Sequence, residues 1–464
     1  MMQRRSMFGL THAVLAMALI ALPACGRKAP TPDAGPAGPT NVILLVADGA
    51  GFQTFNATSY YEHGQLGQQP YDAWPAQFGV ITTAIGDDQL PMVYHADYAH
   101  DPMVILATST DSAAAATTLY TGQKTLRRRI GMSADGMPLD SFATRAKAAG
   151  YRVGVVTTVE FSHATPASLA GHALDRDDYT NLARQMLTGD TLDVIIGCGH
   201  PGYDAAGNPA VDLPRDDYLY VGGQPVWDAI MTAEGFHGWT FIDTKAQFAA
   251  LADGTATPPD RLLGVPRVYT TLQYNRPGTE MGSRNPDLPT LPTLALAALE
   301  TLTRDGDSFA LVIEAGAVDW ANHGGNLGRA VEEQMEFNET VRTVQAWLAA
   351  NNLTESTLVI VTSDHETGDL RGPFVEGDRR APAIIPGDAG ALPEHAYGSG
   401  GHTSRLVPLY ATGPGSERFA AFIDGSDELL GDYIDNTDIF PVIMEALQLP
   451  ASAPAEPAQV PATD

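Results

Sequence analysis

The chain has 464 residues, 44% hydrophobic and 18% charged, which is ordinary for a globular protein with a large core. Against 27 Lys and Arg stand 55 Asp and Glu, a formal net charge of −28. That balance argues against a nucleic-acid-binding role, because phosphate-backbone recognition needs a basic face, and it fits a solvated acidic surface.

Residues 1–24 read as an export signal. Arg4 and Arg5 precede an apolar run from Met7 to Leu22 that is short for a membrane span of about 20 residues. Leu22-Pro-Ala-Cys25 resembles a bacterial lipobox, which would put a lipid anchor on Cys25; an export signal cleaved elsewhere is the competing reading. Both lead to an exported, periplasmic or cell-envelope protein. Residues 25–40, rich in Pro, Ala and Gly, read as a flexible tether, and residues 450–464 as a tail of the same kind. With Cys25 lipidated, Cys198 has no intrachain partner, and its setting in Ile195-Ile-Gly-Cys198 suits a core position.

Residues 41–449 alternate strand and helix patterns. Strands are expected at Asn41–Ala47, Phe78–Thr83, Val153–Thr158, Asp193–Gly197, Phe309–Ile313, Thr357–Thr362 and Leu406–Ala411. Helices are expected at Ser112–Thr121, Asp140–Ala149, Asp177–Leu187, Thr293–Thr303, Leu327–Asn351 and Thr437–Leu447. Runs of Val, Ile and Leu without alternation mark strands buried on both faces, so the fold class is α/β, a large mostly parallel central sheet with helices on both faces. The Gly-, Pro- and Asp-rich stretch from about 200 to 292 reads as an insertion subdomain outside the sheet, serving as a lid or an interface.

Four of the strand patterns lead into carboxylates or histidines. Asp48 ends the first, Glu314 the one that continues to Asp319 and His323, Asp364 and His365 follow another, and the fourth leads to His163 and Thr165. Ligands in open α/β sheets gather past the carboxyl ends of strands. Several strands delivering carboxylate and imidazole to that edge suggest a polynuclear metal site. Asp319 and His323, four apart, face the same way on a helical turn. His402 sits in a glycine-rich loop, Gly398-Ser-Gly-Gly-His402. Each of these residues alone also reads as a cap, a polar turn or a solvated loop side chain. Ser112 precedes four alanines and so opens a helix, where unpaired amides favour an anion such as phosphate. Alone it is an ordinary cap; together with the others it becomes a nucleophile candidate.

These pieces, in this order, resemble the alkaline phosphatase family. They are Asn41-Val-Ile-Leu-Leu-Val-Ala-Asp48-Gly, Asp111-Ser112-Ala-Ala-Ala-Ala-Thr117, Thr121-Gly-Gln-Lys124, His163-Ala-Thr165, Arg176, Glu314 through Asp319 to His323, Asp364-His365 and Gly401-His402-Thr. The resemblance covers nearly all of residues 41–449 and is weakest in the insertion. It implies a metal-dependent hydrolase of small phosphate monoesters that passes the phosphoryl group through Ser112 as phosphoserine. It further implies two Zn2+ and one Mg2+. Asp319, His323 and His402 would hold one zinc, and Asp364, His365 and Asp48 a second beside Ser112. Asp48, Thr165 and Glu314 would hold the third ion. Arg176 would clamp two phosphate oxygens. Relatives are frequently homodimers.

The sequence departs from one bacterial form of the family at two places: His163 stands where that form has Asp, and Trp320 where it has Lys. An imidazole near the third site opens it to Zn2+ or another divalent ion, and Trp320 removes a cation near the phosphate. Two rivals stand beside this reading. One is a phosphodiesterase or sulfatase of the same superfamily, although Ser112-Ala-Ala-Ala-Ala lacks the sulfatase signature around its nucleophile. The other is a non-catalytic exported phosphate- or metal-binding lipoprotein, which would have no need of an activated serine.

Overall fold

Packing of the apolar runs decides the architecture. A computed structural model describes residues 41–86, 90, 92–94, 101–210, 215–232, 235–278, 281–282, 284–373 and 382–451. The export signal, Cys25, the tether and the tail beyond 451 lie outside the described residues. In chain order the strands are β1 (Asn41–Ala47), β2 (Ala76–Ile81), β3 (Arg152–Glu160), β4 (Val194–Cys198), β5 (Thr240–Ile242), β6 (Leu262–Gly264), β7 (Phe309–Ala315) and β8 (Thr357–Thr362). Then come the two-residue strands β9 (Glu366–Thr367), β10 (Leu370–Arg371), β11 (Ala396–Tyr397) and β12 (His402–Thr403), followed by β13 (Val407–Thr412), β14 (Gly425–Asp427) and β15 (Gly431–Asp435).

Eleven strands form one sheet in the order β14-β15-β2-β13-β8-β1-β7-β3-β4-β6-β5. From β8 to β5 every neighbouring pair is parallel. The Leu406–Ala411 run becomes β13, antiparallel to both its neighbours. Strand β1 lies in the middle and is buried throughout. Its side chains alternate between two cores, as the pleat requires. Val42, Leu44 and Val46 pack with Leu119, Phe142 and Ile443 on one face. Ile43, Leu45 and Ala47 pack with Leu294, Leu299 and Phe337 on the other. Helices therefore cover both faces, as the continuous apolar runs imply.

The helices form close to where the patterns place them. Ser112–Thr121 is as expected, and all ten of its residues are buried, which explains why alanines fill it. Four more are Phe142–Ala148, Tyr179–Thr188, Leu291–Leu302 and Leu327–Ala350. Toward the end of the chain, a 3-10 turn at Asn436–Asp438 leads into helix Ile439–Ala446. No described helix is long and apolar enough to cross a membrane. Cys198 is buried and unpaired at the end of β4.

One expectation needs correction. The 200–292 stretch does not lie wholly outside the sheet, because it supplies β5 and β6. These pair parallel with each other, and β6 pairs with β4. The edge of β4 presents backbone groups that need partners, and two three-residue strands meet that need. Strands so short carry no detectable periodicity.

The long helix Leu327–Ala350 leaves one acid of its buried face out of the ion pairs. Arg276 and Arg329 bind Glu332 at 2.6 and 3.1 Å, and Arg284 binds Glu336 at 2.5 Å. Glu333 is left with both oxygens buried and without a hydrogen-bond partner. Burial, helped by the Glu336 charge, pushes its carboxyl up to about 8. A carboxyl raised on folding favours the folded state while protonated, and that contribution is lost as pH climbs from the ordinary glutamate range through about 8. Wild-type stability should therefore fall by a few kcal/mol more between pH 5 and 9 than that of Glu333→Gln, since each tenfold change in proton affinity on folding corresponds to roughly 1.4 kcal/mol. Denaturant unfolding of both proteins at the two pH values checks this; parallel losses would contradict it.

Candidate active site

The register of the central strands builds the site. Val46 of β1 pairs with Glu314 of β7 on one side and Thr362 of β8 on the other. The three carboxyl ends are therefore level, and Asp48, Glu314 and Asp364 emerge together. Gly49 turns the chain with a φ of +72°, and its backbone N–H donates to Asp364 Oδ1 at 3.1 Å. A Cβ at Gly49 would stand 2.7 Å from Asp319 Cα, so the turn and the position of Asp319 depend on glycine.

Asp319 and His323 lie on the helix Ala317–His323, which follows β7 directly. His402 reaches the same point from β12, which is held by antiparallel pairing with β9. One ligand atom from each of Asp319, His323 and His402 falls within 4.8 Å of the others; Asp48, Asp319 and His365 form a second such group. Asp319 belongs to both. Asp364 adjoins the second, its Oδ2 being 3.2 Å from His365 Nε2. Thr165, on the short helix Ala164–Ala167, donates to Asp48 Oδ2 at 3.4 Å and lies close enough to Glu314 to act on its carboxyl. Asp48, Thr165 and Glu314 are thus brought together as well.

The hydrogen-bond pattern fixes how the imidazoles face. His323 Nδ1 lies 2.7 Å from the Gly400 carbonyl oxygen, and His402 Nδ1 lies 2.9 Å from that of Thr110. Carbonyls only accept, so each Nδ1 carries a proton, and in the neutral ring each Nε2 presents a bare lone pair. The two Nε2 atoms are 3.0 Å apart. Lone pairs at that distance repel unless a cation lies close to both. Burial pushes His402 below the usual imidazole range, which disfavours a shared proton. His365 repeats the pattern. Thr367 donates its hydroxyl to Asp319 Oδ1 at 2.6 Å, so its oxygen accepts from His365 Nδ1 at 3.2 Å. His365 Nε2 then faces the Ser112 hydroxyl at 3.0 Å.

The carboxylates make the same demand. Asp48 Oδ1, Glu314 Oε1 and Asp364 Oδ2 are buried with no hydrogen-bond partner. Among the described residues no Lys or Arg pairs with any of these acids or with Asp319. Burial, reinforced by their mutual repulsion, raises Asp48 well above the carboxylate range and lifts Glu314 and Asp364 to about 7. Isolated buried charges cost several kcal/mol each. Oxygen and imidazole donors converging without a counter-charge fit divalent metal ions.

Ser112 begins its helix and is itself buried, and Asp111 caps that helix by accepting from the Ala114 N–H at 3.1 Å. Asp111 also accepts from Arg176 Nη1 at 3.1 Å and from the Arg128 backbone N–H at 3.0 Å. The sequence draws attention to Ser112 and Arg176 but not to the carboxylate that aligns them, although Asp directly before a helix-opening Ser is a capping signal. Thr157, opposite Glu314 in the β3–β7 register, donates to its carboxylate, and Thr367 orients Asp319 and His365; neither threonine belongs to a motif that marks it beforehand.

His163 sits apart from this network. Its ring stacks on Tyr179 at 5.8 Å and lies against Trp320, and its buried Nδ1 has no hydrogen-bond partner. Burial, helped by Arg176, pushes it down to about 3, so it is neutral and able to ligate. No described contact joins it to Asp48 or Glu314. The site opens into a cavity of about 640 Å³, whose walls include Ser112, Arg176, His163, Trp320, His323 and His402.

The alkaline phosphatase family model matches residues 39–385. The chain is 26% identical to alkaline phosphatase 3 of Bacillus subtilis strain 168, over 88% of this chain and 89% of that one. It is 29% identical to the streptomycin-6-phosphate phosphatase of Streptomyces griseus, over 94% and 97%. The alkaline phosphatase of the Antarctic bacterium TAB5 superposes with a TM-score of 0.61, covering 89% of this chain and 98% of that one at 24% identity, which shows a shared fold.

The Gly49 contact gives a direct check of the ligand arrangement. Gly49→Ala forces a left-handed backbone onto alanine and drives its methyl into Asp319, so the folded protein should release its metal at about tenfold lower chelator concentration. Chelator titration with circular dichroism as a folding control measures this; an unchanged release midpoint would contradict it.

Proposed function

The chain belongs to the alkaline phosphatase family, a metal-dependent phosphoric monoester hydrolase by that membership, and we propose that it works through a phosphoserine at Ser112. The observation carrying this reading is the position of the Ser112 hydroxyl. It lies at a buried helix N-terminus, 3.0 Å from His365 Nε2 and beside the converged carboxylates. We assign Asp319, His323 and His402 to one Zn2+ and Asp48, Asp364 and His365 to a second. Asp48, Thr165 and Glu314 are assigned to a third ion, Mg2+ or, with His163 nearby, zinc. Such ions supply Lewis acidity beside Ser112 and neutralise the buried carboxylates.

The chain's own residues do the rest. The free amides at the start of helix Ser112–Thr121 and the guanidinium of Arg176 receive the phosphate oxygens, a geometry matched to three anionic acceptors. Asp111 holds Arg176 at 3.1 Å and caps the same helix, so clamp and nucleophile are kept in fixed relation. Ser112 attacks phosphorus in line, passing its proton to solvent water as its O–P bond forms, while the ester O–P bond breaks and the departing oxygen takes up a proton from water. Water then displaces Ser112 and releases inorganic phosphate. Trp320, lining the cavity where a lysine would add a cation, leaves the phosphate less tightly held.

We also propose export with a lipid on Cys25, supported by Leu22-Pro-Ala-Cys25, and assembly as a homodimer; mass spectrometry of the mature N-terminus and sedimentation test the two.

p-Nitrophenyl phosphate should be hydrolysed far faster than bis-p-nitrophenyl phosphate or p-nitrophenyl sulfate, and Ser112→Ala should lose about a thousandfold or more of kcat with its metal content kept. Faster diester or sulfate hydrolysis would point to another superfamily activity. Hydrolysis of none of the three would favour the binding protein.

A further inference from the structure

We propose that Arg127 is a specificity residue for phosphate monoesters whose leaving group carries a second anionic group, such as another phosphate; this rests on the phosphomonoesterase reading above.

Three consecutive arginines, Arg127 to Arg129, occur in a chain whose acids outnumber its bases two to one. Arg127 and Arg128 line the same cavity as Ser112 and Arg176. The charges already in that cavity are nearly all accounted for. Arg176 is paired with Asp111 at 3.1 Å. Arg128 is held by Asp175 and Asp177 at 2.6 and 2.5 Å. Among the described residues Arg127 has no carboxylate partner. Its contacts are from Nη2 alone, to the Ser109 hydroxyl at 3.2 Å and the Ala107 carbonyl at 3.5 Å. Nε and Nη1 are therefore left to donate.

The backbone that carries it is not loose. Arg128 has a left-handed φ of +71°, and its N–H donates to both oxygens of Asp111, at 3.0 and 3.1 Å. Asp111 is the cap of the Ser112 helix, so the loop bearing Arg127 is tied to the nucleophile through one side chain. The bonds of Arg127 to Ser109 and Ala107 draw its side chain along the segment that leads into Ser112. A guanidinium held in this way, with its Nε and Nη1 N–H groups unengaged, suits a phosphate or carboxylate on the part of the substrate that is not transferred. In a strongly acidic protein such a fixed cation also offsets the repulsion that a doubly anionic substrate meets on approach.

The test compares 1,3-propanediol bisphosphate with 3-hydroxypropyl phosphate, two substrates that differ by one phosphate. The ratio of their kcat/KM values is measured for wild type, Arg127→Gln and Arg127→Lys. In Arg127→Gln the ratio should fall about tenfold, the scale of one charge-assisted hydrogen bond, and chiefly through KM for the bisphosphate. Arg127→Lys, which keeps the charge but not the separate guanidinium donors or the Ser109 and Ala107 bonds that hold them, should recover part of it. Arg127 is exposed, and equal melting temperatures would show that all three proteins fold alike. A ratio unchanged in Arg127→Gln overturns the inference while leaving the phosphatase reading intact. Hydrolysis of p-nitrophenyl phosphate but of neither propyl compound by wild type overturns the inference alone; hydrolysis of none of the three overturns both.

Discussion

Four carboxylates, Asp48, Glu314, Asp319 and Asp364, meet at the carboxyl edge of the sheet with no arginine or lysine paired to them among the described residues, and that uncompensated negative charge is the constraint around which the site is organised. Three of the four are delivered by the level ends of adjacent strands, and the fourth by the helix that follows β7. Hydrophobic packing on both faces of β1 holds them there whether or not the charge is satisfied. The sheet thus forces together groups that would separate in water, and divalent cations convert an unfavourable cluster into a binding centre.

The surrounding hydrogen bonds serve this centre by fixing which atoms face inward. Backbone carbonyls of Thr110 and Gly400 take the Nδ1 protons of His402 and His323, and Thr367 orients His365 while touching Asp319. Thr110 belongs to the segment leading to Ser112, so the orientation of the His402 imidazole and the start of the Ser112 helix are linked through the backbone. Asp111 extends the link to Arg176. The proposed nucleophile, phosphate clamp and metal ligands are in this way parts of one hydrogen-bonded assembly rather than independent attachments to a scaffold.

Much of this is legible in the sequence because buried strands and polar strand ends leave strong local signals. Asp48, Glu314 and Asp364 each terminate an unbroken apolar run, and the four-residue spacing of Asp319 and His323 survives as one turn of helix. The alanines after Ser112 forecast its helix to the residue. What is not legible depends on tertiary pairing. Strands β5 and β6 are three residues each and exist because β4 offers an edge, so the 200–292 stretch reads as detached from the sheet. The roles of Asp111 and Thr367 come from contacts across the fold that no short motif records. His163 is a different case: its ring packs on Tyr179 at the edge of the site, and its buried Nδ1 has no hydrogen-bond partner.

The most direct measurement is anomalous X-ray diffraction at the zinc edge on crystals of active protein grown with zinc. One peak is expected between His323 Nε2, His402 Nε2 and Asp319, and a second among Asp48, Asp364 and His365, within about 2.0–2.2 Å of the donor atoms. Active crystals with no scatterer at either place would contradict the claim that metal ions balance this charge.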